Sequence, residues 1–576
     1  MTRESLLAAV RVGAVAGGAM IFGVTIGFVE TVARREVLAD LLSLSTVMIA
    51  IVGVLTGVIA ARPSARDPEP TPATAVSRGV AAGLVASAML GAFAIFASVV
   101  NMRDIFTNLS PNGIETITFG LGAGAGAAVL VVGGAVLGGL GAILRILPPL
   151  PTRMVVTAGV AIVVFSIMEQ VLRVSLTELG LRSVAGFFYR SGALTVQGAL
   201  VVGGLAAAFV WLRRAPQSPV SGLFQRATRR GDRRSSLILY VVIAVLLLAL
   251  PQVVGRFPSD VLGNAGLYIL LGLGLNIVVG YAGLLDLGYV AFYAIGSYSV
   301  ALLTSPQSFL ALELNFWLIL PIVILIAAAA GVVIGAPVLR LRGDYLAIVT
   351  LGFGEIVRLL FLSDWLSEFT NAGQGILGIP DPTLPGLTVP TSDPESIYYP
   401  ILVACIVAAV VAYRLANSRV GRAWNAMRED ESVAEATGIN TTNYKLLAFS
   451  LGAVFGCLSG ALFAAKIGSI FPHSFEILVS ITALAVIILG GMGSIPGVIV
   501  GALVLVGLPE LLREFDEYRL LVYGAVLVAM MLLRPEGLVP SAMRRRELHE
   551  SDDPDEQYDE DAGVETGKPA ISGGVA

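Results

Sequence analysis

Charged residues are scarce in this chain of 576 residues, and histidine and cysteine are scarcer still. Asp, Glu, Lys and Arg together make up 14% of it, against about 25% in soluble globular proteins. The two histidines and two cysteines stand far apart, and Cys405 and Cys457 lie within apolar runs, so no metal site and no disulfide is expected. These scarcities argue against a soluble enzyme, a nucleic-acid binder and a disulfide-stapled secreted domain.

Motifs of catalysis and nucleotide binding are also missing. No GxxxxGK[ST] phosphate-binding loop occurs, and the glycine-rich stretch Gly490–Gly497 has no lysine, so we expect no ATP to be bound by that route. No Ser-His-Asp set and no carboxylate pair outside the apolar runs suggests hydrolysis. We therefore predict that the chain is not an enzyme and binds no cofactor itself.

Apolar residues, by contrast, make up 56% of the chain. A membrane-spanning helix needs about 20 of them, which predicts an all-α polytopic membrane protein with about 16 transmembrane helices. Six predicted spans lie in the first half, at 5–28, 41–60, 79–101, 117–144, 154–171 and 192–212. Ten lie in the second half, at 236–254, 261–280, 281–304, 315–336, 346–362, 397–416, 446–465, 477–493, 496–508 and 519–533.

Lys and Arg cluster in four stretches that fall on one side if the second-half spans alternate: 213–234, 340–342, 414–445 and 534–546. Cytoplasmic loops carry such an excess, so both termini are predicted to be cytoplasmic. Composition also suggests boundaries. We expect an accessory transmembrane module at 1–212, a basic cytoplasmic linker at 213–235, a main module at 236–540 and an acidic disordered cytoplasmic tail at 541–576.

Small residues crowd the predicted span near Gly120–Gly141, whose sequence includes GLGAGAG and VVGGAVLGGLG. Such spacings let helix backbones approach closely in lipid. Helix packing is the favoured interpretation of this run, and channel lining is the alternative.

Four specific motifs follow one another in the main module: Gly280–Gly288 (GYAGLLDLG), Leu339–Arg358, Ser418–Lys445, and Leu489–Gly497 with Leu533–Leu538 closing the module. Together they resemble the permease subunits of the branched-chain amino acid family of ABC importers over about residues 237–540. The resemblance implies an inner-membrane transport subunit of a prokaryote. It also implies a second permease, two ATP-binding subunits that use ATP and Mg, and an extracytoplasmic solute-binding protein.

The cargo implied by the resemblance is a branched-chain or other hydrophobic amino acid. Permeases for urea and short amides carry similar motifs and remain an alternative. A further alternative is a stand-alone ion-coupled secondary transporter, in which Asp286, Glu355 and Glu169 would be the coupling carboxylates. Glu169 has no partner that the sequence identifies.

The resemblance also implies that a cytoplasmic loop docks on the ATP-binding subunit, and the basic stretch Ser418–Lys445 fits that position. From Trp424 onward it can form a short amphipathic helix ended by Gly438 as a left-handed cap. The residues predicted to couple to the ATPase are Arg422, Arg428, Glu429, Asp430, Glu431, Glu435, Ala436 and Gly438.

Glycine-rich turns inside apolar runs suggest helix interruptions, which the membrane tolerates only where backbone lines a cavity or is buried in protein. The predicted substrate-pathway residues are Gly283, Asp286, Gly288, Phe292, Thr370 and Asn371. The family usually has Gln-Leu-Ser where this chain has Leu284-Leu285-Asp286. Asp286 could therefore line the pathway, partner a neighbouring backbone group or cation, or lie at the interface.

Glu355 and Arg358 are three residues apart, which places them on one helix face. Mutual neutralisation is the favoured interpretation of this pair, and a gating contact with the second permease is the alternative.

Overall fold

The computed structural model describes residues 3–63, 71–102, 105–178, 180–214, 244–245, 247–252, 254–341, 343–384, 387–391, 393–511 and, with gaps, 521–540. The predicted linker and tail lie almost wholly outside these residues, as do most of the spans predicted at 236–254 and 519–533. The chain divides into two compact units. The first unit comprises 1–249 with 514–518, and the second comprises 250–513 with 519–576.

The first unit is a set of helices joined by short connections. Its helices are α1 (Arg3–Thr25), α2 (Phe28–Ala33), α3 (Leu44–Ala60), α4 (Pro72–Val99), α5 (Pro111–Ile117), α6 (Ala123–Ile146), α7 (Pro149–Ile167), α8 (Glu169–Glu178), α9 (Arg182–Phe188) and α10 (Val196–Arg214). A small sheet with the order β2-β1-β4-β3 contains β1 (Glu36–Leu38), β2 (Leu42–Ser43), β3 (Tyr189–Arg190) and β4 (Ala193–Leu194). Strands this short give no alternating pattern, which is why the sequence did not indicate them.

Close backbone contacts hold α3, α4 and α6 together. A Cβ atom built on Gly138 of α6 would lie 2.2 Å from the carbonyl oxygen of Gly79, and one on Gly57 would lie 2.0 Å from that of Gly138. Only glycine permits such an approach without displacing a neighbour. The helix-packing interpretation of the Gly120–Gly141 run is therefore confirmed for these glycines.

The second unit has helices of unequal burial. They are α11 (Arg256–Leu275), α12 (Val290–Thr304), α13 (Phe316–Val338), α14 (Asp344–Leu362), α15 (Ser367–Thr370), α16 (Pro394–Ala416), α17 (Arg419–Glu429), α18 (Glu431–Ala436), α19 (Thr441–Ile467), α20 (Ile477–Gly490) and α21 (Ile495–Leu511). Short strands β5 (Ile376–Leu377) and β8 (Ser469–Ile470) pair antiparallel, as do β6 (Thr383–Leu384) and β7 (Leu387–Thr388). Helix α19 packs against α12, α13 and the end of α11, which places it at the centre of the unit.

Ten helices in the described part of the chain are long and apolar enough to cross a membrane, and four more apolar helices are shorter. An all-α polytopic membrane protein is therefore confirmed. The run predicted as one span at 281–304 is corrected, because helix begins there only at Val290. Helix α20 has 14 residues and reaches span length, 19 residues, only together with the 3-10 turn that precedes it at Pro472–Phe475.

Candidate functional site

A break in helical structure lies between α11 and α12, in the segment Ala282–Tyr289, here called the interruption. Before it, α11 widens into a π-helical turn at Asn276–Tyr281. Gly283 then adopts a left-handed backbone (φ 71°), which glycine takes at no steric cost, and Leu284 N–H donates to the carbonyl of Val278 at 2.9 Å. The predicted interruption of helix within the apolar run is confirmed.

Asp286 stands inside the interruption with only 2% of its surface exposed. Its Oδ1 accepts a hydrogen bond from Gly288 N–H at 2.9 Å, so the carboxylate closes a local turn. Among the described residues its Oδ2 accepts no hydrogen bond. The geometry matches the alternative in which Asp286 partners a neighbouring backbone group, and its role in a pathway stays a prediction.

The interruption lies directly on α14. Thr350 Oγ1 accepts a hydrogen bond from Leu287 N–H at 3.0 Å, and a Cβ atom on Gly288 would lie 1.8 Å from the carbonyl oxygen of Thr350. Gly354, one turn further along α14, lies against Gly288 from its own side. No side chain fits between these backbones, so α12, α14 and the interruption form one contact. Thr350 belongs to the second motif, but sequence spacing gave no reason to single it out.

The two stretches of the last motif, Leu489–Gly497 and Leu533–Leu538, meet at the C-terminal end of α20. Leu538 and Val539 N–H donate to the carbonyls of Leu489 and Gly490 at 2.8 and 2.9 Å. Gly493 N–H donates to Asn276 Oδ1 at 2.8 Å, which ties the turn after α20 to the π-helical turn of α11. The two stretches of the last motif are thus joined by backbone hydrogen bonds, and the Asn276 side chain joins the turn after α20 to α11.

The segment Ser418–Gly438, here called the coupling segment, forms two helices where one was predicted. Asp430 is extended (φ −153°) and its Oδ1 accepts from Ser432 and Val433 N–H at 2.8 and 3.0 Å. It therefore caps α18 and ends the helix that began at Arg419, as aspartate favours at this position. The predicted continuous helix from Trp424 to Gly438 was wrong on this point.

The predicted end of the coupling segment at Gly438 is confirmed. Gly438 is left-handed (φ 91°), its N–H donates to the carbonyl of Glu435 at 3.0 Å, and Ile439 N–H donates to that of Ala434 at 3.1 Å. These are the two hydrogen bonds of a Schellman cap.

The inner face of the coupling segment is fixed to the rest of the unit. Trp424 is fully buried and its Nε1 donates to the carbonyl of Tyr444 at 2.9 Å. Arg428 Nη1 donates to the carbonyl of Gly280 at 2.9 Å, and a Cβ atom on Gly283 would lie 3.0 Å from Arg428 Cγ. Arg428 therefore touches the interruption from the coupling segment.

The predicted coupling residues divide between the two faces. Glu431 pairs with the buried Lys445 at 2.6 Å, so both Arg428 and Glu431 contact their own chain. The exposed members of the predicted set are Arg422, Glu429, Asp430, Glu435, Ala436 and Gly438. Together with Val433, whose surface is 58% exposed, they form a mostly acidic outer face with an apolar centre.

A cavity of about 430 Å3 borders the same place. Tyr281, Asn425, Arg428 and Gly493 are among its lining residues. It therefore lies between the π-helical turn, the coupling segment and the turn after α20.

Of the remaining predicted pathway residues, Phe292 lies next to the interruption, with its ring centroid 6.1 Å from that of Tyr289, and Thr370 and Asn371 lie away from it. Phe292 is 2% exposed and packs edge to face on Phe449, with ring centroids 5.4 Å apart. Thr370 Oγ1 donates to carbonyls at the end of α14, 2.9 Å from that of Phe361, while Asn371 is exposed and left-handed (φ 55°). Phe361 is eleven residues from Thr350, about 16 Å along the helix, so Thr370 is not beside Asp286.

Glu355 and Glu169, whose roles the sequence did not decide, each have a basic partner in the structure. Arg358 Nε donates to Glu355 Oε1 and Oε2 at 3.1 and 3.0 Å, which supports mutual neutralisation. Glu169 lies 3.2 Å from Arg173 Nε, four residues later on α8. The i, i+4 spacing of Glu169 and Arg173 could be recognised in the sequence, but the pair was not predicted.

The comparisons with known proteins bear on this second unit. The family described as branched-chain amino acid transport system / permease component matches residues 257–531. The high-affinity branched-chain amino acid transport system permease protein LivM of Escherichia coli (strain K12) is 44% identical over 331 residues, which cover 54% of this chain and 76% of that protein. LivM of Salmonella typhimurium is 43% identical with the same coverage.

A more distant relative is LivH of Salmonella typhimurium, a permease protein of the same kind of system. It is 27% identical over 289 residues, 47% of this chain and 91% of that protein. No solved structure matches the chain. The match to LivM spans most of that protein at high identity, and this chain belongs to the family of branched-chain amino acid permeases of ABC importers.

Proposed function

We propose that this chain is the transmembrane permease subunit of an ATP-driven importer that moves branched-chain amino acids into the cytoplasm. The observation that carries the proposal is the contact between the coupling segment and the interruption, in a unit that matches permeases named for these substrates. The reported relatives are all named for branched-chain amino acids, so permeation of urea or short amides is not favoured.

The proposed working unit is a complex with a second permease, two ATP-binding subunits and an extracytoplasmic solute-binding protein. ATP and Mg would be used by the ATP-binding subunits, with hydrolysis outside this chain. The membrane would be the cytoplasmic (inner) membrane of a prokaryote, with both termini in the cytoplasm. The mixed acidic and apolar outer face of the coupling segment suits a protein partner, since it offers polar and apolar contacts at once.

Movement of the coupling segment would reach the membrane interior through Arg428. A rigid-body shift of α17 carries the guanidinium that binds the Gly280 carbonyl, and the backbone of Gly283 lies against the same side chain. The interruption would pass the shift to α14 through Thr350, which binds Leu287 N–H. A backbone without helical hydrogen bonds can change its dihedral angles at less cost than an intact helix.

The three carboxylates that the ion-coupled alternative requires make other interactions in the structure. Asp286 closes a turn at Gly288, Glu355 binds Arg358, and Glu169 pairs with Arg173 in the first unit. That distribution favours the ATP-driven importer over a stand-alone secondary transporter.

Site-specific crosslinking tests the proposal on the assembled complex. A cysteine at Glu435, which is exposed on the coupling segment, should crosslink to an ATP-binding subunit. The matched control is a cysteine at the exposed Asn371, which should reach the solute-binding protein and not the ATPase. The natural Cys457 is buried and Cys405 Sγ lies 3.2 Å from the Gly266 carbonyl, so background labelling should be low.

Leucine uptake into proteoliposomes is the second measurement. It should require ATP and the ATP-binding subunits, and urea should not compete. Uptake by the purified chain alone, or equal crosslinking of both cysteines to the ATPase, would overturn the proposal.

A further inference from the structure

A polar cavity of about 720 Å3 lies in the first unit, outside the residues matched by the permease family. The β1–β4 sheet brings its walls together, because β1 follows α2 and pairs in parallel with β4 at Leu38 and Leu194. The walls come from the end of α2, the β1–β2 turn, the start of α8 and the β3–β4 turn. Its charged lining residues are Arg34, Arg35, Glu36, Asp40, Glu169 and Arg173.

Two of these charged residues are almost completely buried. Arg35 is 8% exposed, and its Nη2 donates to the carbonyls of Ser166 and Ile167 at 3.1 and 2.8 Å, so the end of α7 fixes the guanidinium. Glu169 is 3% exposed, and its Oε1 lies 3.2 Å from Arg173 Nε without accepting a hydrogen bond within the described residues. Buried charges of this kind are unfavourable unless polar contacts satisfy them.

The Glu169 carboxylate affects the pKa of two neighbouring side chains. Burial lowers the pKa of the Arg35 guanidinium, and the Glu169 carboxylate opposes that shift. Burial, and then the same carboxylate, raises the pKa of Tyr189 to about 12. The cavity thus holds the buried Glu169 carboxyl close to the Arg35 guanidinium, which the end of α7 fixes.

The lining holds three arginines and three acids. Within this set Arg173 lies 3.2 Å from Glu169, and Arg34 lies 4.0 Å from Glu30 outside it. The two signs of charge in the lining therefore balance, and a ligand that carries both an ammonium and an anionic group adds no excess of either sign. The volume lies within the range of about 300–1,000 Å3 typical of small-molecule sites. We propose that this cavity binds a zwitterion, with its ammonium toward Glu169 and its anionic group toward Arg34 and Arg173.

Two sources share this chemistry: a free α-amino acid and the headgroup of a zwitterionic lipid. The proposal concerns a site distinct from the transport path, and it stands whether or not the chain conducts amino acids. Its test therefore measures binding and melting rather than uptake.

The test uses the purified full chain in nanodiscs of phosphatidylglycerol, with radiolabelled leucine as the probe. Leucine should bind saturably, and glycine should displace it, while acetate or methylammonium at equal concentration should not. Glu169→Gln and Arg173→Gln should each weaken this binding at least tenfold. Arg182→Gln, which removes an exposed arginine outside the cavity, is the matched control and should bind as the wild type does.

A second arm identifies the lipid source. If a headgroup fills the cavity, phosphatidylethanolamine nanodiscs should raise the melting temperature of the wild type over phosphatidylglycerol nanodiscs, and both cavity variants should lose that rise. Arg173 is half exposed, so its variant should fold even where Glu169→Gln does not. The proposal is overturned if acetate alone displaces leucine as well as glycine does. It is also overturned if neither leucine binding nor the lipid-dependent melting differs between wild type and the Arg173 variant.

Discussion

The most deeply buried spans of the two units differ in how much of their surface is buried. In the first unit, none of the four long spans has more than 39% of its residues buried, whereas the spans Arg256–Tyr281 and Thr441–Ile467 of the second are 72% and 67% buried. Irregular backbone at membrane depth survives only where protein surrounds it or it lines a cavity. The interruption directly follows the first of these two deeply buried spans, and Asp286 within it is 2% exposed.

Glycine makes two kinds of close contact in the described residues: between intact helices, which both units show, and between an irregular segment and a helix, which the interruption shows. Gly57 and Gly138 of the first unit let intact helices touch, while Gly288 of the second lets an irregular segment touch a helix. The first arrangement packs intact helices together, and the second keeps a segment without helical hydrogen bonds in register. We infer that transport depends on the second kind of contact and tolerates damage to the first.

The sharpest test of this difference adds one methyl group at Gly288. Gly288→Ala places a Cβ atom 1.8 Å from the Thr350 carbonyl, so backbone must move, and overpacking of this kind costs about 1–3 kcal/mol or more. Leucine uptake in proteoliposomes should fall at least about 100-fold, which corresponds to about 2.7 kcal/mol.

The matched control is Gly352→Ala on α14, where no atom lies within 4 Å of the added Cβ. It should transport as the wild type does. Equal uptake by the two variants would mean that the interruption does not need its contact with α14.

The next largest effect is expected at Arg428, which joins the coupling segment to the interruption. Arg428→Gln cannot keep the charged hydrogen bond to the Gly280 carbonyl, and hydrogen bonds to charged groups are worth about 1.5–3 kcal/mol. Uptake should fall about tenfold while ATP hydrolysis by the complex continues, because the segment still docks. Arg414→Gln, an exposed arginine near the end of α16, should leave both rates unchanged; loss of both rates in Arg428→Gln would indicate a docking role instead.

A glycine of the first unit should give the opposite result. Gly138→Ala places a Cβ atom 2.2 Å from the Gly79 carbonyl, so melting of the purified chain should shift downward, whereas Gly133→Ala meets no atom within 4 Å and should not shift it. Uptake per folded molecule should stay within about twofold of wild type in both. A loss of uptake in Gly138→Ala that parallels Gly288→Ala would erase the functional difference between the units.

The predictions that the structure confirmed rest on local sequence features. Apolar runs located the spans, because a membrane fixes their length, and Gly438 ended its helix because glycine tolerates the left-handed cap. Asp430 was within reach of the same reasoning, since aspartate before a helical turn is a favoured N-cap. The Glu169–Arg173 pair was also readable from spacing.

The contacts that could not be predicted from the sequence join residues that are far apart along the chain. Arg428 and Gly280 are 148 residues apart, and Leu287 and Thr350 are 63 apart. No periodicity connects such positions, since each is set by how several helices pack. Asp286 is different, since its partner, Gly288 N–H, is only two residues away, and aspartate commonly accepts from the backbone at that spacing.

The smallest effect is expected for Asp286→Asn, a chemical change that leaves the local turn intact. In Asp286→Asn the side chain keeps an oxygen that can accept from Gly288 N–H, now 2.9 Å from Oδ1, so leucine uptake should stay within about twofold of wild type. Asp286→Ala removes the acceptor and leaves a buried donor unsatisfied, at a cost of about 1–3 kcal/mol. Its uptake should be clearly lower than that of the asparagine variant.

The order of these two variants decides which property of Asp286 matters. If the carboxylate charge itself carried a coupling ion or contacted substrate, asparagine would be as damaging as alanine. In the case of a coupling ion, leucine uptake would also respond to an imposed ion gradient. If the oxygen closes the turn, asparagine rescues uptake and the substrate range is unchanged. The second result would confine the dependence on charge to the coupling segment and leave the interruption dependent on backbone geometry.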